Sequence, residues 1–224
     1  MGEKQRLPVD SKEARDCVQA YVNAFMWLKV VRDYFIKLFH DDETLKKLVV
    51  VAVAFFNDLR NILHEYWLLK CLAMFDKAKH DKRENLSLEF LAAAIDWPAE
   101  VKAQLVMCLE KVQPFRDKIR NARNRIISHH DKETVLDDEL LGAFGQGEDQ
   151  RFVETLEVAC GLMHEQVFRT VLGSVDPFCP GDVGDFKNAL DEAVAFRRLL
   201  DDAIQKGSLT VSPAMLFSLV GLNG

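Results

Sequence analysis

Asp10–Leu38, DSKEARDCVQAYVNAFMWLKVVRDYFIKL, is the stretch on which the fold class turns. Val18, Val22, Phe25, Leu28, Phe35 and Leu38 recur in it mostly at steps of three and four, the spacing that lines up side chains on one face of an α-helix. Asp10-Ser11 stands ahead of it, with side-chain oxygens suited to cap the first free backbone N–H groups. A second long helix is expected from about Thr44 to about Phe75, after the acidic Asp41-Asp42-Glu43. At a rise of about 1.5 Å per residue, each would be roughly 45 Å long.

The rest of the chain reads the same way. Asp76–Asn85 (DKAKHDKREN) is almost wholly polar and reads as a surface loop, after which Asn85 or Ser87 caps a short helix, LEFLAAAI. Asp96-Trp97-Pro98 marks another start, with the proline in the first turn. Pro114 is expected to break or kink the helix at that point, and a basic helix to run near Phe115–His129. Residues 131–150 contain Gly142, Gly145 and Gly147 and read as the longest irregular segment. Two amphipathic helices come next, one on Phe152, Leu156, Ala159, Met163 and Val167, the other on Phe186, Leu190, Ala193, Phe196 and Leu200. A turn cluster, Asp176–Gly181, separates them. Strand signals are weak, nothing repeats, and no low-complexity linker splits the chain. The expectation is an all-α, antiparallel helical bundle forming one domain, with a core over about 10–172 and a C-terminal helical extension over about 173–224.

Composition narrows the function classes. With 224 residues, 49% of them hydrophobic, the chain can bury a sizeable core, and 29% charged residues fit neither a membrane protein nor a disordered one. The longest apolar run, Leu48–Phe56, is far short of the about 20 residues that cross a bilayer, and reads as a buried helix. The charged N-terminus has no secretory apolar core, and Arg6 stands where a myristoylation signal needs Ser or Thr. Five scattered cysteines (Cys17, Cys71, Cys108, Cys160, Cys179) without a Cys-x-x-Cys pair point away from a disulfide framework or a structural zinc site, and towards a reduced, cytoplasmic protein.

Net charge is −6, which disfavours broad nucleic-acid binding, but its distribution is uneven. From Lys111 to Lys132 seven bases face two acids, a local +5 that leaves −11 for the remainder. The standard enzyme signatures are missing. No Glu has a His three positions on, as di-iron bundles need, and neither His64-Glu65 nor His164-Glu165 extends to His-Glu-x-x-His. Nor is there a Gly-x-Ser-x-Gly, a phosphate-binding loop or a Rossmann glycine pattern. No cofactor or metal is expected.

Chemistry is concentrated in Arg120–Asp131, RNARNRIISHHD. A histidine, with an ordinary pKa near 6.5, gives or takes a proton at neutral pH, and an arginine grips a phosphate bidentately. Together they suit RNA cleavage by the substrate's own 2′-hydroxyl, with Arg123 on the phosphate, His129 in acid–base work and Asn124 positioning a phosphate or sugar oxygen. A plainer reading also holds, because cations gather at helix C-termini beside the free carbonyls. Six residues span about 600°, so an unbroken helix sets His129 about 120° from Arg123 and brings His130 nearer to its face. Arg120 and Arg125 could contact RNA phosphates or form a solvated basic face. Asp131 could orient a histidine or cap the next turn.

Arg123-Asn124, four residues and His129 resemble the signature of the HEPN superfamily. The fuller RNRIISHHD is similar to the abortive-infection (AbiU-type) branch, matching at Arg123, Asn124, His129 and Asp131, with Arg125 for Lys and Ser128 for Ala. Phe75-Asp76, a polar loop and Asn85-Leu86-Ser87-Leu88 resemble a second segment of that branch, although Ala73 replaces its Arg and Lys77 its Pro. These patches lie between Val18 and Glu133. The resemblance implies a HEPN-like bundle that dimerises so that two motifs face one cleft, and metal-independent RNA cleavage leaving a cyclic phosphate. It also implies an endoribonuclease of toxin or phage-defence type with RNA as its partner. The acidic remainder of the chain could keep the protein soluble or offer a surface to an antitoxin protein, and the composition gives no membrane partner. The alternative is a non-catalytic module that binds RNA, a nucleotide or a partner protein. Trp27, Trp67 and Trp97 read as core or interface residues.

Overall fold

A computed structural model describes residues 6–80, 83–122, 145, 147–173 and 182–207, and six helices carry most of them. These are α1 (Lys12–Phe39), α2 (Asp42–Met74), α3 (Leu88–Ala94), α4 (Ala99–Ala122), α5 (Glu148–Phe168) and α6 (Val183–Gln205). The expected all-α class holds. The chain divides into two compact units, Met1–Phe35 with Asn61–Asp176, and Ile36–Arg60 with Pro177–Gly224.

In the first unit Ser11 is the cap of α1: its hydroxyl accepts from the Ala14 N–H at 3.2 Å, and its carbonyl from Arg15. The helix then buries Val18, Val22, Phe25 and Leu28, as its periodicity requires. Tyr21 is buried with them and donates its hydroxyl to the Met74 carbonyl at 3.3 Å. Trp27 Nε1 donates to the Tyr66 hydroxyl at 2.9 Å, and the Phe35 ring stacks on His64. Partners on α2 thus fall in number as those on α1 rise, which makes the two an antiparallel hairpin. Arg32 with Asp149 and Lys29 with Glu157 set α5 antiparallel to α1. Lys118 with Glu148 and Phe115 with Phe152 set it antiparallel to α4. The result is an antiparallel four-helix bundle of α1, the second half of α2, α4 and α5.

All five residues of the expected α5 stripe are buried. Phe152 is the hub, with ring centroids of Phe115, Phe75 and Trp67 at 4.5, 5.0 and 6.4 Å. Trp97 is also core, its Nε1 donating to the Leu91 carbonyl at 2.8 Å, whereas Trp27 is half exposed.

Several local expectations change. Ser87, rather than Asn85, caps α3, accepting from the Phe90 N–H at 3.3 Å. The polar stretch before it holds a small antiparallel ladder, β2 (Lys79–His80) on β3 (Arg83–Glu84), while β1 (Leu7–Pro8) pairs in parallel with β4 (Ile95–Asp96). Strands of two residues are too short to show a period. Pro98 precedes α4 and accepts from the Lys102 N–H, so it caps the helix instead of sitting in its first turn. Pro114 breaks nothing, since α4 runs through it to Ala122. Proline forfeits the N–H that would reach the Glu110 carbonyl. Burial of Val112, Phe115 and Ile119 around it holds the helix together.

In the second unit α2 starts earlier than expected, at Asp42, because Asp41 acts as its cap. The Asp41 carboxylate accepts from the Thr44 hydroxyl at 2.6 Å, the Glu43 N–H at 3.3 Å and Lys187 Nζ at 2.8 Å. Lys47 with Asp191 and Phe56 with Phe186 set α6 antiparallel to this part of α2. Asp182 caps α6 through the Gly184 and Asp185 N–H groups.

Here the expectation of a buried helix over Leu48–Phe56 fails. Leu48 and Phe56 are buried, but Val49, Val50, Val53 and Phe55 are exposed, Phe55 by 61%. At Ala52 the backbone leaves the helical region (φ −162°, ψ 72°) among valines, whose β-branching weakens helix propensity. The α6 stripe also differs: Val183, Leu190 and Val194 are buried, while Phe186, Ala193 and Phe196 are exposed. Phe196 stands about 120° round the helix from Leu190. Both helices carry apolar residues on two sides, so periodicity cannot choose the face.

Hydrogen bonds from Lys187 first, and then Thr44, hold the Asp41 carboxyl at about 2, down from 3.8. A pKa depressed by folding favours the native state above pH 3.8, and this support is lost as pH falls towards 2. Lys187→Ala should therefore return the Asp41 titration towards 3.8 in a carboxyl NMR experiment. Titration still near 2 would show that Lys187 is not the cause.

Candidate functional site

The last turns of α4 turn Ile119 into the core and leave Arg120 in solvent. Arg123 follows Ala122, the last described residue of this helix. Arg123, Asn124, Arg125, His129, His130 and Asp131 lie outside the described residues, so of the expected site residues Arg120 alone is placed. The turn cluster at Asp176–Gly181 and Cys179 also lie outside them.

The frame on either side of the motif is placed. Lys118, one turn before the end of α4, reaches Glu148 at the first residue of α5, with Nζ at 2.6 and 2.8 Å from its two carboxylate oxygens. The Gly145 N–H donates to the same carboxylate at 2.6 Å. Lys118 first, and then this N–H, hold the Glu148 carboxyl below its ordinary range. Gly147 (φ +76°) turns the chain into α5 in a conformation that suits glycine. Beside it Asp149 accepts from Arg32 Nε and Nη2 at 2.9 and 2.6 Å in a largely buried pair. The motif-bearing segment is therefore tied at both ends to the same end of the bundle.

Between α4 and α5 runs an open groove of about 460 Å³. Phe115 and Phe152 form its floor, Lys111 and Pro114 one wall, and Arg151 and Thr155 the other. Arg151 is an isolated base after Glu148-Asp149-Gln150, and nothing local in the sequence signals that α5 carries it across from Lys111.

The thiols of Cys17, Cys71, Cys108 and Cys160 are free, and burial pushes each of them up from the usual thiol value. They stay protonated at neutral pH, which is unsuited to nucleophilic work. Among the described residues no three of His, Cys, Asp and Glu are grouped so as to hold a metal ion. No helix of the described residues is long and apolar enough to cross a membrane.

The family model for the AbiU2 type of HEPN domain matches residues 11–203. The chain belongs to the AbiU2 HEPN family. This is an abortive-infection HEPN family, and the match reaches from the Ser11 cap of α1 into α6, well beyond the Val18–Glu133 span of the sequence patches. In this AbiU2-type HEPN domain the Arg123–His129 motif follows in sequence the described part of α4, which Lys118 joins to Glu148 at the start of α5. No curated protein and no solved structure matches the chain.

Proposed function

We propose that this AbiU2-type HEPN protein is a metal-independent endoribonuclease of toxin or phage-defence type, acting in the cytoplasm at a composite site formed by two copies of the chain. The observation that carries the reading is the intact Arg123-Asn124…His129 motif in a chain that belongs to this family.

A histidine, His129 or its neighbour His130, removes the proton of an RNA 2′-hydroxyl. The freed oxygen bonds to the adjacent phosphorus, and the bond from phosphorus to the 5′-oxygen breaks. A protonated histidine gives the leaving 5′-oxygen its proton, so a 2′,3′-cyclic phosphate and a 5′-hydroxyl result. Arg123 stabilises the charge that builds on the pentacoordinate phosphorus, and Asn124 positions a phosphate or sugar oxygen. Arg120, Arg125 and Asp131 surround these groups as substrate contacts and orienters. With two motifs across one cleft, Arg123 of one chain acts with His129 of the other, which removes the about 120° mismatch along a single helix.

The net charge of −6 favours a second reading, a non-catalytic module that holds RNA, a nucleotide or a partner such as an antitoxin in the same cleft. Purified protein incubated with labelled tRNA and single-stranded RNA in excess EDTA separates the two. Cleavage ending in a cyclic phosphate is the expected result. Bound but intact RNA would replace the nuclease with the binding module.

A further inference from the structure

We infer that the groove between α4 and α5 is a strand-binding subsite, in which Lys111 and Arg151 hold phosphates of single-stranded RNA running away from the motif. The inference rests on the proposed RNA reading for its occupant, and on the groove itself for its geometry.

Three cations that reach α5, two from α1 and one from α4, are committed. Lys29, Arg32 and Lys118 are each paired with a carboxylate of α5. Lys111 and Arg151 are exposed, face the groove from opposite walls, and have no ion-pair partner among the described residues. Two acids share the groove. Glu148 is already neutralised by Lys118 and bonded to the Gly145 N–H. Glu154 accepts from Gln150 Nε2 at 2.8 Å, and the charge of Arg151 also acts on Glu148, so Lys111, Arg151 and Lys118 together stand against two carboxylates, a surplus of one positive charge. That balance favours an anion.

The spacing fits a chain of phosphates rather than one. Arg151 lies at the end of the groove nearest the motif, its Nη1 at 3.8 Å from where a Cβ on Gly147 would stand. Phe115 packs on Phe152, and Lys118 pairs with Glu148, so Arg151 is level with residue 116 of α4. Lys111 is five residues further along from that level, and about eight from the guanidinium beside Gly147, so the two charges stand roughly 7–12 Å apart along the helix axis, one to two phosphate steps of an extended strand. From Lys111 to Ala122, the last described residue of α4, the helix climbs roughly 16 Å, a few nucleotides of single strand. Lys111 is also the first base of the +5 segment, so the groove and the motif share one basic stretch of sequence. Pro114 and Val158 offer apolar surface to a base, and Thr155 a hydroxyl, without demanding one sequence.

The test uses a fluorescent 2′-O-methyl single-stranded RNA, which lacks the attacking hydroxyl and so reports binding without cleavage. The full chain is compared with Lys111→Glu, Arg151→Glu, the milder Lys111→Gln and Arg151→Gln, and an Arg197→Glu control on exposed α6, all with matched thermal melts. Each charge reversal should weaken binding roughly tenfold at low salt and lower the salt slope by about 1, with smaller losses for the Gln variants. Arg197→Glu should bind within about twofold of the wild type if the effect is local rather than general. Folded groove variants that bind like the wild type, or a wild type that does not bind this RNA, overturn the subsite. Unmodified RNA is assayed in parallel. Groove-dependent binding without cleavage keeps the subsite and removes the nuclease, whereas cleavage with groove-independent binding does the reverse.

Discussion

Arg123→Ala and His129→Ala are each expected to abolish RNA cleavage while leaving the helical fold and its melting temperature in place. A histidine in acid–base work is worth about 10²–10⁴-fold, and a charged group on the developing phosphorane contributes a comparable factor, so either loss takes turnover below detection. The anchors of α4 are other residues, Val112, Phe115 and Ile119 in the core and Lys118 on Glu148, and they are unchanged in both variants. The measurement is single-turnover cleavage of labelled RNA in EDTA beside a thermal melt. If the two motifs act across a dimer, mixing the inactive single variants should restore part of the activity, because one of the two composite sites in a mixed dimer keeps both an Arg123 and a His129. Full activity in a folded double variant would remove the nuclease reading, and activity that survives His129→Ala but not His130→Ala would transfer the acid–base role to the neighbouring ring.

The largest effect on stability is expected at Phe152. Its ring touches Phe75, Phe115 and Trp67 and is almost entirely withdrawn from water. Phe152→Ala should cost about 3–5 kcal/mol from lost burial and the cavity left behind. For a chain of this size that lowers the melting temperature by roughly 6–20 °C. Phe152→Leu, which refills most of the volume, should lose less. Phe196→Ala, at a side chain 60% exposed, should stay within about 0.5 kcal/mol of the wild type in denaturant titration. Equal losses at the two positions would mean that Phe196 is covered in solution. Because α5 carries Glu148 and Asp149 as well as Phe152, a destabilised α5 should also loosen the closure beside the motif.

Much was legible without coordinates because a helix with one apolar face announces it. Val18, Val22, Phe25 and Leu28 on α1, and Phe152 through Val167 on α5, have a single way to be buried, and they are buried that way. Ser11 and Ser87 are local caps, whose chemistry involves only the next three residues. The family, too, was readable from RNRIISHHD and the Asn85–Leu88 patch, and the AbiU2-type match over residues 11–203 carries it.

Elsewhere the local pattern leaves a choice that packing makes. Leu48–Phe56 is apolar at every position and holds no information about which side meets a neighbour; its unit covers Leu48 and Phe56 and leaves most of the others in solvent. The α6 helix offers two apolar stripes, and packing selects Val183, Leu190 and Val194. Pro114 carries a local penalty, and the burial of its neighbours outweighs it.

By itself the sequence determined the all-helical class, the Ser11 cap and the α1 and α5 core stripes, because each depends on neighbours three or four positions apart. Only the tertiary structure decided that Lys118 closes on Glu148, that Arg32 meets Asp149, and that Lys111 and Arg151 face each other across one groove. Such pairs join residues 30 to 117 positions apart. Their partners are set by which helices pack side by side and in which direction, and no periodicity along a single helix encodes that.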